Sequence, residues 1–266
     1  MTFGTGISGL LGAAALMGSA IAANAAVVRV TEANFNAGAG LITFSEFGLG
    51  TVNPTYAPAD YGGGAGAPIV TTGGYFEGQS LSANAAVDCP GAAATGCVVG
   101  TPNGPLTLDA NAPNVFITQD GAFPTSPTLS GTPRFNGPIA LLFDTDQLAV
   151  GFEGGFFDAA ESTAITAFAR DGSLLGRVSN QGTGIEFLGL VSATGMAEIA
   201  GVFLELVGAE PSGYNIDNVR FGVAGDIILP PDVNNPSTVP LPAGLPLLAG
   251  GLGFLAFGVR RRAGAK

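Results

Sequence analysis

The sequence has no histidine and no tryptophan, and its only lysine is Lys266, the last residue. Without histidine the commonest general base at neutral pH is gone. So are the usual nitrogen ligand for zinc and every Ser-His or Cys-His nucleophile pair. Without tryptophan the best aromatic platform for stacking on a sugar is gone, although Tyr and Phe remain. Charged residues are scarce, at 11%, and their net charge is −11. Four of the nine basic residues, Arg260, Arg261, Arg262 and Lys266, sit at the C-terminal end, so the rest of the chain sets five arginines against all twenty carboxylates, a net of −15. A surface of that sign repels polyphosphate, which excludes nucleic acid as a partner, and it repels anionic lipid headgroups too. It suits neutral polysaccharide, divalent cations or a high-salt exterior.

What is abundant is Gly, at 43 residues, and Pro, at 18, within a composition that is 47% hydrophobic. That is not the low-hydrophobicity, high-charge profile of a disordered chain. Many turns between short apolar runs point instead to an all-β sandwich or barrel. The clearer strand patterns fall at 41–47, 74–81, 115–118, 139–144, 148–153, 164–170, 173–179, 185–191, 198–207 and 214–223. Asp171-Gly172 between two of them predicts a two-residue type I′ hairpin. The Gly-, Pro- and Ala-rich stretches 49–73 and 84–137 read as long surface loops, and no fixed-period repeat is present. The expectation is one jelly-roll or lectin-like β-sandwich over residues 26–229, followed by a Pro-rich linker at 230–238.

The two ends carry addresses. Residues 7–23 form an uncharged apolar run, and Ala23-Asn24-Ala25 then offers small residues where a signal peptidase reads. Residues 1–25 are therefore expected to be an N-terminal signal helix cleaved after Ala25. At the other end Val239-Pro240-Leu241-Pro242-Ala243 precedes an apolar stretch and then Arg260, Arg261 and Arg262. Leu241 to Val259 is 19 residues, enough for a transmembrane helix. The arginines set its topology by staying cytoplasmic, which puts the domain outside.

This tail, residues 239–266, resembles the VPLPA-CTERM sorting signal, a relative of the PEP-CTERM signals of Gram-negative bacteria. The resemblance implies an exosortase-type membrane transpeptidase as partner and a transient stay in the inner membrane as an anchored precursor. It implies removal of the tail and delivery to the cell surface or extracellular matrix. A plain single-span anchor is the other reading of the same residues. The domain is similar to those carried by other proteins with this class of tail. The residues responsible are Ile42-Thr43-Phe44-Ser45-Glu46-Phe47, the stretches 73–80 and 184–190, and Gly213-Tyr214-Asn215-Ile216-Asp217-Asn218-Val219-Arg220-Phe221-Gly222. That similarity implies a lectin-like sandwich in matrix or biofilm proteins.

Within the domain, Cys89 and Cys97 are the only cysteines, and an exported chain predicts that they are bridged. Glu46 and Asp217 fall near the first and last strands, which lie together in a jelly roll. They are candidate calcium ligands, with solvated or hydrogen-bonded carboxylates as the alternative. Asp144 and Asp146, spaced i and i+2 at a strand end, are a second candidate pair for calcium, with an Asx turn as the alternative. Glu153 and Asp158 flank Gly154-Gly155-Phe156-Phe157 and could be read as a glycosidase acid pair. Such a pair must face across a cleft, and sequence proximity does not supply that. Phe156, Phe157, Tyr75 and Phe76 either line a sugar groove or fill the core, and the core is the stronger expectation.

Three functions remain. The first is a structural or adhesive protein of the extracellular matrix, with no enzyme activity, associated with exopolysaccharide or biofilm. The second is a carbohydrate-binding module and the third a glycoside hydrolase. The first leads because the tail specifies a destination and no residue set specifies a reaction.

Overall fold

The computed structural model describes residues 27–121, 127–231 and 233. The expected signal peptide at 1–25, the sorting motif at 239–243 and Arg260–Arg262 lie outside the described residues. Within them no helix is long and apolar enough to cross a membrane.

The chain forms an all-β structure of antiparallel sheets. Strands are numbered in chain order. The larger sheet runs β1 (Val27–Val30), β13 (Gly184–Ser192), β10 (Ala149–Phe157), β15 (Asn215–Gly222), β8 (Pro127–Gly131) and β7 (Val115–Gln119), with β2 (Gly40–Ile42) also pairing with β15. The second runs β12 (Leu174–Ser179), β11 (Thr163–Phe168), β14 (Ile199–Leu206), β9 (Ile139–Gln147), β4 (Val70–Gly73) and β3 (Thr55–Tyr56). A separate hairpin pairs β5 (Gln79–Leu81) with β6 (Val98–Gly100).

Alternating side chains join the two large sheets into a sandwich. In β10, Val150 and Phe152 turn inward; in β11 and β14, Ile165, Val202 and Leu204 meet them in one cluster of buried residues. Each such fully buried side chain contributes about 1.5–3 kcal/mol of hydrophobic stabilisation. The outer face of the second sheet is apolar as well. Phe168, Phe203 and Ala140 there pack against Tyr75, Phe76 and Leu106. Segments 49–73 and 84–137 are thus only partly the surface loops expected. They contribute β3, β4, β6, β7 and β8, and the chain between Tyr75 and Ala112 covers one face of a sheet with a second small core.

Three local outcomes differ from the sequence pattern. The run at 41–47 ends as a strand at Ile42, because Phe44 takes a left-handed backbone (φ 57°) while its ring stays fully buried. The run at 74–81 keeps only its end as β5, and the strand before it, β4, stops at Gly73. The Asp171-Gly172 turn is not type I′, which needs positive φ at both residues. Only Gly172 has it, at 84°, in a three-residue loop closed by Gly172 N–H to Ala169 O and Ala169 N–H to Ser173 O, each 2.9 Å. Asp171 instead accepts the Ser173 amide and hydroxyl, which hold its carboxyl below the usual carboxylate range.

The domain also extends past residue 229. Val233 is buried with Val30, Phe35 and Leu148, and its N–H reaches Pro230 O.

Candidate functional site

The polar chemistry of the domain concentrates on the outer face of β15. Ile216 and Val219 point into the core, so Asn215 and Asp217 point the other way, yet both are completely buried. Between Asp217 and Arg220 the register slips by one residue against β10: Gly151 pairs with Arg220, but Glu153 pairs with Asp217. The extra residue is Asn218, in a left-handed conformation (φ 48°) that Asn tolerates better than most residues. The bulge sets Glu153 and Asp217 directly opposite one another. Asn218 joins the two: its side-chain amide donates to Glu153 Oε2 at 2.8 Å, and its backbone N–H donates to Asp217 Oδ1 at 2.7 Å. Two strand positions away, the Asn215 amide donates to Asp120 Oδ2 at 2.7 Å and to Thr128 Oγ1 at 2.9 Å.

Glu46 lies on the segment that follows β2. Strand β2 pairs with β15, with Ile42 opposite Val219, so the segment carrying Glu46 leaves the sheet beside the strand carrying Asp217. Glu46 Oε1 accepts the Thr43 N–H at 2.8 Å and the Thr43 hydroxyl at 3.0 Å. The buried Tyr56 hydroxyl nearby is pushed far above its usual pKa, first by burial and then by the charges of Glu46 and Asp60. Glu46 Oε2 and Asn215 Oδ1 are each buried without a hydrogen-bond donor. Buried acceptors left unmatched cost about 1–3 kcal/mol each. A hard divalent cation, which takes oxygen ligands from carboxylates, amides and carbonyls alike, fits oxygens of this kind. Among the described residues no three Asp, Glu or Cys side chains gather around one point, so amide and backbone oxygens would have to complete such a site.

The other acidic pairs are dispersed. Asp144 accepts the Ile69 N–H at 2.8 Å, pinning the loop before β4, whereas Asp146 pairs with Arg170 at 2.5 Å. Each is bound to its own neighbour. Glu153 lies on the sheet face. Asp158 lies beyond the end of β10, where it accepts the Ser212 N–H at 2.7 Å. Of the four aromatics considered for a sugar groove, Tyr75, Phe76 and Phe157 are buried and Phe156 is 57% exposed.

One acidic residue escaped the sequence reading. Glu210, in the turn between β14 and β15, is fully buried. It accepts the Ser162 hydroxyl at 2.6 Å and the Asp158 N–H at 3.0 and 3.1 Å. Burial pushes its pKa up to about 7, opposed by those hydrogen bonds and reinforced by the charge of Asp158. The Tyr214 hydroxyl, buried without a partner, is raised by burial first and by Glu210 second. The sequence Gly208-Ala209-Glu210-Pro211-Ser212-Gly213 reads as a plain turn, and nothing in it marks the carboxylate as buried.

Cys89 and Cys97 are bridged, with Cα atoms 5.9 Å apart, and both are buried in the main core. The bridge anchors a short helix, Ala85–Asp88, to the segment leading into β6. Glu210 holds the same loop through its backbone, its carbonyl accepting the Ala93 N–H at 3.0 Å.

Two open cavities are lined by described residues. One, of about 460 Å³, is walled largely by glycine and alanine from the 62–67 loop and the start of β2, with Asp226 and Tyr61 among its few functional side chains. The other, of about 370 Å³, lies between the β5–β6 hairpin and the edge strand β12, over a floor formed by β11 and β14. No family model matches the chain, and no curated protein matches it.

Proposed function

We propose that this chain is an exported protein of the cell surface or extracellular matrix, structural or adhesive in role. Its domain is a jelly-roll or lectin-like sandwich, and an exosortase-type transpeptidase removes its C-terminal tail. The observation that carries the reading is the buried Cys89–Cys97 disulfide. Such bridges form and persist in oxidising compartments and are rare where thiols are kept reduced. The apolar run before Ala25, the VPLPA motif and the arginine cluster point to the same destination independently.

A second reading, carbohydrate binding, is favoured by the groove between the hairpin and β12, which sets the exposed Leu174 beside the planar polar groups of Arg177 and Glu205. Calcium belongs to either reading as a structural ion. Glu46, with one buried carboxylate oxygen lacking a donor, and Asp217 are its candidate ligands.

The test is fractionation of the native host expressing the wild type and a variant with Pro240, Leu241 and Pro242 replaced by Ala. An anchor needs only apolar length and a positive flank, whereas a sorting signal also needs residues that an enzyme reads. The wild type is expected in the surface or matrix fraction without residues 244–266. The variant is expected in the membrane fraction at its longer mass. A wild type that keeps its tail in the membrane sinks the sorting reading and leaves the anchor, and a wild type retained in the cytoplasm sinks export altogether.

A further inference from the structure

The groove on the second sheet is built, not incidental. Its floor is the outer face of β11 and β14, where Phe168 and Phe203 are nearly buried and Thr166 and Glu205 stand beside them. Thr166 donates to Glu205 Oε2 at 2.7 Å. The Phe168 ring is fixed edge-on against Phe76, with centroids 5.7 Å apart. One wall is the β5–β6 hairpin, with Gln79, Val98 and Gly100. Gly100 (φ 96°) lets the chain turn there, and a Cβ on it would meet Gly78 O at 2.6 Å. The other wall is β12, where a register shift between Ala167 and Phe168 of β11 bends the strand and leaves Leu174 59% exposed.

Arg177 decides what the groove can take. The five arginines of the domain are each engaged by another group. Four of them are in ion pairs, and Arg177 is the most exposed of the four, at 56% of its side chain, across a long 3.5 Å contact to Glu205. An exposed pair at that distance adds little stability. It leaves a planar guanidinium and a planar carboxylate side by side, each able to form two parallel hydrogen bonds. The local charges cancel, while the rest of the domain is strongly negative. A charged ligand gains nothing from such a site, and a polyanion is repelled by what surrounds it.

We infer that this groove binds a neutral oligosaccharide chain, with Arg177 and Glu205 spanning adjacent hydroxyls and the exposed Leu174 side chain receiving the apolar face of a sugar ring. The inference rests on the carbohydrate-binding reading and assigns it a place. A groove that is apolar below and sparsely polar at the sides is the usual form of a small-ligand site. Sugar rings match it because hydroxyls ring their edges while C–H groups cover their faces.

The full-length chain, purified in a zwitterionic detergent that carries no sugar, is titrated with neutral hexasaccharides of glucose, mannose, galactose and xylose. An acidic hexasaccharide of galacturonate serves as the comparison. Saturable binding of at least one neutral probe is expected. Arg177→Ala and Leu174→Ser, both at exposed positions, are expected to weaken it about tenfold or more, the first by loss of a charge-assisted hydrogen bond and the second by loss of the apolar contact. Arg134→Ala, on the other side of the fold's chemistry at Phe135 and Gln119, is expected to leave it unchanged. Melting temperatures matching the wild type show that the variants are folded. If the wild type binds a neutral probe and both groove variants bind it equally well, the groove is overturned and carbohydrate binding stands elsewhere. If the acidic probe binds better, the neutral ligand class is overturned. If no probe binds, the groove and the carbohydrate-binding reading fall together.

Discussion

Glu210 is the residue at which burial and charge conflict most directly. A carboxylate with no exposure costs several kcal/mol to ionise unless donors surround it, and Glu210 has the Ser162 hydroxyl and the Asp158 N–H but also the nearby charge of Asp158. The balance leaves its pKa at about 7 in the folded chain, against an ordinary value of 4.5. Below pH 4.5 both folded and unfolded chains hold the proton. Between 4.5 and 7 only the folded chain holds it, so stability falls as pH rises, and above 7 the loss is complete. At about 1.4 kcal/mol per pH unit the full loss is about 3 kcal/mol. Glu210→Gln cannot titrate. Denaturant unfolding of both proteins from pH 4 to pH 8 is expected to give profiles that converge at the acid end and part toward neutral, with the wild type falling more steeply. Parallel profiles would show that Glu210 ionises at its ordinary pH. Serine, threonine and asparagine partners, not ion pairs, stabilise most carboxylates here, because only five arginines are available to them.

At the scale of elements, the legible parts were those that repeat locally. The strands at 139–147, 163–168, 184–192 and 215–222 show runs of β-branched and aromatic residues, and the sequence pattern located all four within a few positions. What escaped were strands that look like turns. Strand β8 begins with Pro127 and contains Ser130 and Gly131, and β4 is Val-Thr-Thr-Gly. They are strands because neighbours supply their hydrogen bonds, which is information from distant parts of the chain. The pairing of Glu153 with Asp217 is non-local in the same way, since it depends on the bulge at Asn218 and not on either residue's own surroundings. The disulfide was legible because two cysteines in a chain expected to be exported suffice for it. The helix it holds, Ala85–Asp88, is four residues long, far too short to persist alone. Replacing Cys89 and Cys97 together by Ser is expected to remove about 2–3 kcal/mol by restoring entropy to the unfolded chain. For a domain of this size that lowers the melting temperature by about 5–10 °C. A double variant that melts with the wild type would mean that the Glu210 carbonyl and the surrounding core hold the loop unaided.

For the whole molecule the question is how a domain so poor in cations tolerates its own charge. Every arginine outside the C-terminal cluster is already committed. Arg29 serves Glu186 and the Ser179 carbonyl, Arg220 serves Glu32, and Arg134 lies over Phe135. The fifteen carboxylates in excess of arginine repel one another at neutral pH, and salt relieves the exposed ones but not those that are buried. Two carboxylates face each other at β15, where Asp217 pairs with the half-buried Glu153 across the strands. The ligand chemistry there is all oxygen, which suits a hard cation. Calcium is therefore expected to raise the melting temperature of the protein, and magnesium much less, because its small, rigid octahedral shell suits an irregular site of amide and carboxylate oxygens poorly. At a hundredfold excess over its dissociation constant a single bound ion stabilises by about 2.7 kcal/mol, again about 5–10 °C. Asp217→Asn keeps the shape and removes one charge. It is expected to abolish the calcium shift. Scanning calorimetry of both proteins in EDTA, in millimolar magnesium and in millimolar calcium separates the cases. A wild type whose melting point is the same in calcium and magnesium would mean that general screening, not a bound ion, balances this face.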